Sequence, residues 1–447
     1  MPSTTALRQT LWRLVRKARR LPWLLRTLGA TGTLHYAYQT LIKPSWRRST
    51  QALKIDVFDF YQFLDDPRRD AAQAPEAPAE AVAPPPWSFN WVIPDFQVGS
   101  GGHRTIFRMV AHLERRGCRQ RLIIVGPTQF KSGAAAKEVI CRHFEPLEAE
   151  VALGEEALTP AEFTVATGWQ TAYAVERFGA TRHKVYFVQD FEPWFFPVGS
   201  EYAFAEATYR FGFSAAITAG DWLAETMAGY GIKAYPFSFS YDKHHHYPRP
   251  RRDRIQRVFF YARHVTPRRG FELGLLALGR VHAVYPDLHV VLAGWDSSGY
   301  HMPFIHLNAG VVSAEELAEL YSQCDVGLVL SLTNISLLPL ELMACGCPVV
   351  SNNGRNVDWL LRHEDNALLA DPTPQALAAA LLRVLGDEDL AAGLRTRGLA
   401  FAKATAWETE AERVCDYFHQ VRGSQRGEET GSGLPQDAPS KALPNTP

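Results

Sequence analysis

Short apolar runs alternate with amphipathic segments along two stretches of the chain, and this alternation limits the fold more than any other feature. The strand-like runs are FNWVIPDF, RLIIVG, KVYFVQDF and SAAITAG in the first stretch, and RVFFYAR, LHVVLAGW, CDVGLVLS and CPVVSNN in the second. Strands that alternate with helices form parallel sheets joined by right-handed crossovers. The sequence therefore predicts an α/β fold with two Rossmann-like parallel-sheet domains that face each other across a cleft, where ligands meet the carboxyl ends of the strands.

Helix signals stand between these runs. The apolar residues that recur at helical spacing after the first run are Ile106, Met109, Val110 and Leu113. In the second stretch, Ser313 and Glu316 have the spacing of a capping box, which predicts that a helix begins there. The segment LPLELMACG predicts a short helix before the run CPVVSNN.

Composition divides the 447-residue chain further. A stretch rich in Pro, Ala and Glu predicts a linker, and the last residues are disorder-prone. The predicted parts are a basic N-terminal segment (1–64), the linker (65–87), a first Rossmann-like domain (88–245), a second Rossmann-like domain (250–405), a helix that returns to the first domain (406–422) and a disordered tail (423–447).

Charge is balanced overall but not locally. Lys plus Arg and Asp plus Glu number 47 each, which gives no electrostatic case for nucleic acid as a partner. The first 51 residues hold ten Lys or Arg and no Asp or Glu. This basic amphipathic segment suits an anionic membrane surface, with a solvated or partner-docking helix as the alternative. No apolar run reaches the ~18 residues of a membrane span. We expect a cytoplasmic protein, with peripheral contact at the inner face of the membrane as an open alternative.

Cysteine and histidine patterns give little support to a metal site. The chain has six cysteines, which are sparse for its length and indicate no disulfide framework. Cys345 and Cys347 have no second pair at zinc-ligand spacing. The run from His244 to His246 suggests a metal, but we expect none to function there. The sequence predicts no metal and no cofactor.

A glycine cluster stands where the first strand-like run turns into a helix. Gly101 and Gly102 allow the backbone to approach a ligand closely, and free amides at a helix N-terminus suit phosphate. A tight turn alone would need the same glycines. His103, the next residue, is a candidate phosphate donor that could equally cap its helix.

Arginines follow the run RVFFYAR. Arg263 ends the predicted strand, and Arg268 and Arg269 follow just before the next helix. Arginines at the carboxyl end of a parallel strand are placed to neutralise a diphosphate. A solvated basic loop is the alternative.

The stretch SLTNISLLPLELMACG contains the loop before the short predicted helix and that helix itself. Its first amides, at Ser336, Leu337 and Leu338, are candidates to bind phosphate oxygens. Glu341 can accept hydrogen bonds from sugar hydroxyls, although a glutamate near a helix N-terminus is also common on protein surfaces.

Carboxylates and aromatic residues follow the run VYFVQDF. Asp190 and Glu192 are candidates to bind an acceptor or sugar hydroxyls, and Trp194 is a candidate to stack on a sugar face, because loops beside a cleft often carry such groups. A structural loop with core aromatics is the alternative.

These loops together resemble the family 4 retaining glycosyltransferases of the two-domain GT-B fold, over about residues 88–418. The motifs ARHVTPRRG and LPLELMACGCPVV resemble the arginine–lysine loop and the glutamate helix of that family. The stretches SGGHRTIFR, YFVQDFEPWFFP and SLLPLELMACG are similar to those of bacterial rhamnosyltransferases of cell-surface polysaccharide assembly.

The resemblance implies a nucleotide-diphosphate sugar as co-substrate, held mainly by the second domain. Arg263 and Arg268 match the basic pair that neutralises the leaving diphosphate, and Arg269 competes for the second position. Glu341 matches the glutamate that holds the ribose. The resemblance also implies that Gly101 and Gly102 approach the diphosphate or the sugar.

Catalysis in such an enzyme needs no metal. The anomeric bond breaks with oxocarbenium-like character, and arginines and helix amides stabilise the charge on the diphosphate. The acceptor hydroxyl then attacks from the same face. Asp190 is the further catalytic candidate.

One position departs from the family pattern. The family often has a first glutamate eight residues before the second, and Thr333 stands there in this chain. The first glutamate usually faces the donor sugar, so Thr333 leaves the sugar open and argues against simple glucosyl or mannosyl transfer. The best prediction is rhamnose, from dTDP-rhamnose, to a cell-surface polysaccharide or lipid-linked glycan.

Other functions stay open. A sugar-nucleotide epimerase on the same fold and a non-catalytic sugar- or nucleotide-binding module are the alternatives. A dinucleotide-dependent oxidoreductase fits less well, because GSGGHRTI lacks the G-x-G-x-x-G spacing.

Overall fold

A computed structural model of the protein describes residues 57, 61–64 and 84–428. The chain divides into two compact units, Met1–Asp65 and Asp66–Pro447. Of the first unit, Gln62–Leu64 form a 3₁₀ turn. The basic segment of the first 51 residues, most of the predicted linker and most of the predicted tail lie outside the described residues.

In the described part of the second unit, seven parallel strands form the first sheet in the order β3-β2-β1-β4-β5-β6-β7. They are β1 (Ser88–Ile93), β2 (Arg119–Ile124), β3 (Glu150–Leu153), β4 (Ala161–Ala166), β5 (Thr181–Val188), β6 (Ala215–Ala219) and β7 (Ala234–Phe237).

Six further parallel strands of the described chain form the second sheet, in the order β10-β9-β8-β11-β12-β13. They are β8 (Arg257–Tyr261), β9 (His289–Ala293), β10 (His306–Gly310), β11 (Val326–Val329), β12 (Val349–Asn352) and β13 (Leu368–Ala370).

Helices connect the strands and cover the sheets. They are α1 (Gly101–Arg115), α2 (Gly133–His143), α3 (Trp169–Arg177), α4 (Ser200–Ala207), α5 (Asp221–Gly229), α6 (Phe271–Val284), α7 (Ala314–Ser322), α8 (Leu338–Ala344), α9 (Arg355–Asp358), α10 (Pro374–Gly386), α11 (Glu388–Ala404) and α12 (Trp407–Glu428). No helix of the described residues is both long enough and apolar enough to cross a bilayer.

Both sheets reverse their winding direction once. The first sheet reverses between β1 and β4, and the second between β8 and β11. In open α/β sheets, ligands bind outside the carboxyl ends of the strands at such a point. The predicted α/β fold with two parallel-sheet domains is therefore confirmed.

Local sequence signals explain the central elements. Every residue of β1, β4 and β6 is buried, as expected for parallel strands that helices cover on both faces. The capping box is confirmed, since Ser313 Oγ accepts a hydrogen bond from Glu316 N (3.2 Å) and Ser313 N donates one to Glu316 Oε2 (2.8 Å). The four apolar residues predicted for the inner face of α1 are all buried.

Helix α12 packs against the first sheet. Its Phe418 side chain is buried between aromatic residues of β1 and β4, with ring centroids 4.9 Å from Phe89 and 5.1 Å from Phe163. Helix α12 therefore completes the core of the first domain, although it lies at the end of the described chain.

Several strands lack the apolar pattern used for the predictions. The strands that the sequence analysis missed are β3, β4, β7, β10 and β13. Strand β4 has the sequence AEFTVA, in which a glutamate and a threonine interrupt the apolar run. It forms because β1 and β5 pair with it on both sides, and such long-range pairing often overrides local preference.

Candidate functional site

The carboxyl ends of the two sheets approach each other around a cavity of about 250 Å³. Its walls come from the loops after β5, β8 and β11. The lining residues are Trp194, Phe195, Pro267, Arg268, Leu332 and Thr333. The cavity therefore lies at the switch point of the second sheet, with one wall supplied by the first domain.

Arg263 follows β8 and keeps a free donor. Its guanidinium carbon lies 5.7 Å from the ring centroid of Trp295, and its Nη1 donates a long hydrogen bond to the Tyr261 hydroxyl (3.5 Å). Its Nε is buried and has no hydrogen-bond partner among the described residues. The Nε donor of this side chain is therefore unsatisfied within the described residues.

Arg268 and Arg269 differ in surroundings, although they are adjacent. Arg268 lines the cavity, and its buried Nε has no hydrogen-bond partner in the described part of the chain. Arg269 Nη1 instead donates to Ser331 Oγ (2.6 Å), which braces the loop after β11. Burial lowers the pKa of Arg268, and the charges of Arg269 and Arg263 lower it further. Of the two competing arginines, Arg268 is the one that faces the cavity.

Asp190 joins the two domains. Its Oδ2 accepts a hydrogen bond from Thr333 Oγ1 (2.9 Å), and its Oδ1 accepts one from Asn334 N (2.8 Å). The side chain is 13% exposed and lies 3.8 Å from Arg268 Nε. Burial raises the pKa of Asp190, while the Asn334 amide and the two arginines oppose that rise. Thr333 itself carries no carboxylate, but the first domain supplies one beside it, from Asp190.

Asn334 is a site residue that the sequence analysis missed. Its buried amide Nδ2 donates to the carbonyls of Gln189 (3.0 Å) and Ala219 (2.8 Å), and its Oδ1 accepts from Trp359 Nε1 (2.9 Å). The side chain therefore ties the ends of β5 and β6 to the second domain. The sequence offered one local signal for Asn334: it is a polar residue next to Thr333, in the loop after the apolar run of β11.

Glu192 is a half-buried residue in the 3₁₀ turn that supplies Trp194 and Phe195 to the same cavity. Its Oε2 accepts a hydrogen bond from Trp169 N (2.5 Å). Burial raises its pKa to about 8, and the charge of Asp190 adds to that rise. The raised pKa favours the protonated, neutral form of the carboxyl. Trp194, two residues on, is 46% exposed and packs against Trp222 with ring centroids 5.5 Å apart.

The glycine loop leaves open space beside the helix start. Gly101 and Gly102 are the first residues of α1, and the positive φ of this loop falls on Gly99 (92°) instead. A Cβ on Gly101 would meet nothing within 4 Å. The carbonyl of Gly102 accepts a hydrogen bond from Gln189 Nε2 (3.1 Å).

His103 braces this loop. Its Nε2 donates to the carbonyl of Pro94 (3.3 Å), so its Nδ1 accepts from the hydroxyl of Ser100 (2.8 Å), the residue that precedes α1. Burial lowers the pKa of His103 to about 4, which keeps the ring neutral. Both ring nitrogens are occupied, so of the two predicted roles the geometry favours bracing of the helix start over donation to phosphate.

Glu341 lies in α8 with two neighbours that the sequence did not indicate. Its Oε2 accepts a hydrogen bond from the Tyr321 hydroxyl (3.4 Å) and lies 3.9 Å from His246 Nε2. His246 is buried, and its Nδ1 donates to the carbonyl of Asp242 (3.1 Å). His246 is therefore turned toward Glu341. The described residues include no cluster of three or more potential metal ligands.

The start of α8 lies at Leu338, where the segment LPLELMACG predicted it. Leu337, just before it, has helical backbone dihedral angles, and Ser336 lies one residue earlier. The amides of these three residues donate no hydrogen bond within the described part of the chain.

Comparisons with protein families match both domains. The family model described as "WsaF, C-terminal domain" matches residues 256–382, and "WsaF, N-terminal domain" matches residues 153–218. The O-antigen biosynthesis protein RfbC of Myxococcus xanthus is 36% identical over 335 residues, which are 73% of this chain and 26% of that protein. A phosphatidyl-myo-inositol mannosyltransferase of Propionibacterium freudenreichii subsp. shermanii is 34% identical over 99 residues, 22% of this chain and 26% of that protein. The chain spans about a quarter of the length of these curated relatives.

Solved structures show the same fold. Sucrose-phosphate synthase from Thermosynechococcus elongatus has a TM-score of 0.56 at 14% identity and covers 75% of this chain and 99% of its own. HepE of Anabaena, in complex with UDP and glucose, has a TM-score of 0.56 at 16% identity. The match covers 74% of this chain and 99% of HepE. WaaG, a glycosyltransferase involved in lipopolysaccharide biosynthesis, has a TM-score of 0.54 at 13% identity. The match covers 75% of this chain and 100% of WaaG. The chain has the GT-B fold of such glycosyltransferases.

Proposed function

We propose that the protein is a retaining glycosyltransferase that transfers a sugar from a nucleotide-diphosphate donor to a cell-surface polysaccharide or a lipid-linked glycan. The observation that carries this proposal is the pair of arginines after β8. Arg263 and Arg268 each have a buried Nε without a partner among the described residues. A buried donor without a partner is unfavourable unless a ligand satisfies it, and a diphosphate supplies acceptors for both.

The remaining donor contacts follow from the loops around this pair. Glu341 accepts from the ribose hydroxyls, and the free amides from Ser336 to Leu338 meet phosphate oxygens. Gly101 leaves the space through which the donor approaches α1. Groups already in place stabilise the charge that develops on the leaving diphosphate, and such preorganised stabilisation accounts for most of the rate enhancement in many enzymes.

The chemical step needs no protein nucleophile in this proposal. The anomeric bond weakens with oxocarbenium-like character, and the acceptor hydroxyl attacks from the face that the diphosphate leaves. The leaving phosphate takes the proton. Both oxygens of Asp190 already accept hydrogen bonds, so in this mechanism Asp190 holds the site together and does not act as a base.

The lining of the cavity supports a deoxy sugar as the transferred group. Trp194, Phe195, Pro267 and Leu332 give it apolar walls, and the Thr333 hydroxyl is already bonded to Asp190. Apolar walls suit a methyl group better than a hydroxymethyl group, because a buried hydroxyl without a partner is unfavourable. This supports rhamnose, from dTDP-rhamnose, as the sugar. Trp194 and neutral Glu192 lie where an acceptor glycan would enter.

A donor screen tests the proposal. Purified protein is incubated with dTDP-rhamnose, UDP-glucose, UDP-galactose and GDP-mannose, and thermal shift and released nucleoside diphosphate are measured for each. We expect selective stabilisation and slow hydrolysis with dTDP-rhamnose. A preference for another donor would replace the sugar and keep the reaction class. Conversion of a donor to its epimer without acceptor would favour an epimerase, and binding without turnover on every acceptor tried would favour a binding module.

The variant Arg263→Ala tests the arginine pair. Loss of one preorganised donor to the leaving group lowers kcat by about 10²–10³-fold. Arg142→Ala, on an exposed face of α2, is the matched control. Wild-type turnover in Arg263→Ala, with correct folding by circular dichroism, would remove Arg263 from the mechanism.

Location is a separate part of the proposal. We expect the enzyme to work in the cytoplasm and to contact the membrane peripherally through its basic N-terminal segment. Deletion of the first 51 residues should reduce sedimentation with vesicles that contain anionic lipid. Unchanged sedimentation would contradict the membrane role and leave the catalytic proposal untouched.

A further inference from the structure

The position of Arg268 depends on a residue of the opposite domain. We propose that Phe195 is a positioning residue that holds the Arg268 guanidinium where it meets the diphosphate. This inference rests on the proposed function, because it concerns the same site. Phe195 already lines the proposed sugar cavity, and the inference adds a second role, in which it acts on the diphosphate through Arg268 and makes no diphosphate contact itself.

The contact between these two side chains is close. The guanidinium carbon of Arg268 lies 3.8 Å from the ring centroid of Phe195. Phe195 ends the 3₁₀ turn Glu192–Phe195 after β5, and Arg268 lies in the 3₁₀ turn Pro267–Arg269 after β8. The second domain therefore supplies the cation, and the first domain supplies the aromatic face under it.

An aromatic face restrains a guanidinium without using its donors. The five N–H groups of arginine point outward in the plane of the guanidinium, whereas a ring below that plane attracts the cation through its quadrupole. Arg268 Nε has no hydrogen-bond partner among the described residues, which agrees with this arrangement. Phe195 thus fixes the cation and leaves its donors for a bidentate contact with phosphate oxygens.

Asp190, which also belongs to the first domain, is a second neighbour of the Arg268 guanidinium. Its Oδ2 lies 3.8 Å from Arg268 Nε, which is an ion-pair distance and not a hydrogen bond. Thr333 and Asn334 of the second domain fix the orientation of this carboxylate. Leu332 N donates to the carbonyl of Arg268 (2.9 Å), so the loop after β11 holds the arginine backbone as well.

This arrangement makes the diphosphate site a product of both domains. A guanidinium that is already oriented loses less side-chain entropy when the donor binds. Removal of the ring should therefore weaken the binding of a nucleoside diphosphate, although the ring lies on the opposite domain from the other proposed diphosphate contacts.

Phe195→Leu and Phe195→Tyr form the test pair. Leucine keeps an apolar side chain and removes the aromatic face, whereas tyrosine keeps that face. The dissociation constants of UDP, dTDP and GDP are measured by calorimetry, and kcat and KM follow on the donor that the screen selects. We expect leucine to weaken binding of the preferred nucleotide about tenfold, and tyrosine to restore it to within about twofold.

A double-mutant cycle separates positioning from a general structural role. If Phe195 acts through Arg268, Phe195→Leu should have no further effect in an Arg268→Gln background. Phe196→Leu is the matched control, because Phe196 packs against Trp169 and is not among the residues that line the cavity. We expect the control to bind the nucleotide as the wild type does.

The outcomes are distinct. If the wild-type protein binds a nucleoside diphosphate and Phe195→Leu binds it equally well, the inference is wrong and the proposed function stands. The same loss in the Arg268→Gln background would also overturn the inference, since the effect would then not pass through Arg268. If the wild-type protein binds none of the three nucleotides, the proposed function fails, and this inference fails with it.

Discussion

Burial decides the charge of individual residues at the cleft. Glu192 and His103 are both titratable, but burial raises the pKa of Glu192 to about 8 and lowers the pKa of His103 to about 4. Burial therefore favours the neutral form of both groups. In the proposed function, the charge that a donor diphosphate meets comes instead from Arg263 and Arg268.

Glu192 gives a pH prediction. Its ordinary pKa of 4.5 applies to the unfolded chain, so between pH 4.5 and about 8 the unfolded state loses the proton more readily than the folded state. The contribution of Glu192 to stability is complete below pH 4.5 and is lost as pH rises through about 8. Glu192→Gln cannot ionise and should lose less stability between pH 5 and 9, as measured by melting temperature.

A control keeps this result specific. Glu138→Gln changes an exposed carboxylate that pairs with Arg142 on the surface of α2. We expect this variant to keep the pH dependence of the wild type. A Glu192→Gln profile parallel to that of the wild type would show that the carboxyl is not held neutral by burial.

At the scale of elements, helix α12 joins parts of the chain that are far apart in sequence. Its Phe418 packs between Phe89 and Phe163 in the core of the first domain. The helix follows the whole second domain in sequence, so the first domain gains this part of its core only when the end of the described chain returns to it.

Phe418→Ala should destabilise the first domain strongly. Removal of a buried phenylalanine costs about 3–5 kcal/mol, because the apolar contacts are lost and a cavity is left behind. Urea unfolding followed by circular dichroism measures this change. Asp416→Ala, at an exposed position of the same helix, is the control and should change stability by less than about 0.5 kcal/mol.

At the scale of the whole molecule, buried hydrogen bonds connect the two sheets. Asn334 reaches the ends of β5 and β6, and Asp190 reaches the loop after β11. Apolar residues of both domains also share one continuous core, which includes Trp222 of the first and Val357 of the second. We therefore expect the two domains to unfold as one cooperative unit.

Asn334→Ala tests this coupling. The substitution leaves the carbonyls of Gln189 and Ala219 and the indole of Trp359 without this partner, at a cost on the order of 3 kcal/mol. Scanning calorimetry should then show a lower melting temperature and a broadened or split transition. Asn353→Ala, which removes an exposed amide that pairs with Asp371, should keep the single transition. A sharp, unshifted transition in Asn334→Ala would contradict a coupling role for this side chain.

Much of the fold followed from the sequence by itself. Apolar runs with helical or strand-like spacing determined β1, α1 and the alternation of strands and helices in both domains, because spacing is a local property of the backbone. The position of arginines at the end of β8 followed for the same reason, since parallel strands place their carboxyl ends at one edge.

The tertiary structure alone decided which of these residues meet. Thr333 and Asp190 are 143 positions apart, and no local pattern predicts that the first domain supplies the carboxylate beside Thr333. The choice of Arg268 over Arg269 likewise depends on which side chain the loop after β11 covers. Such contacts depend on how two domains close on each other, and that closure is set by packing over the whole chain and not by the residues next to each site.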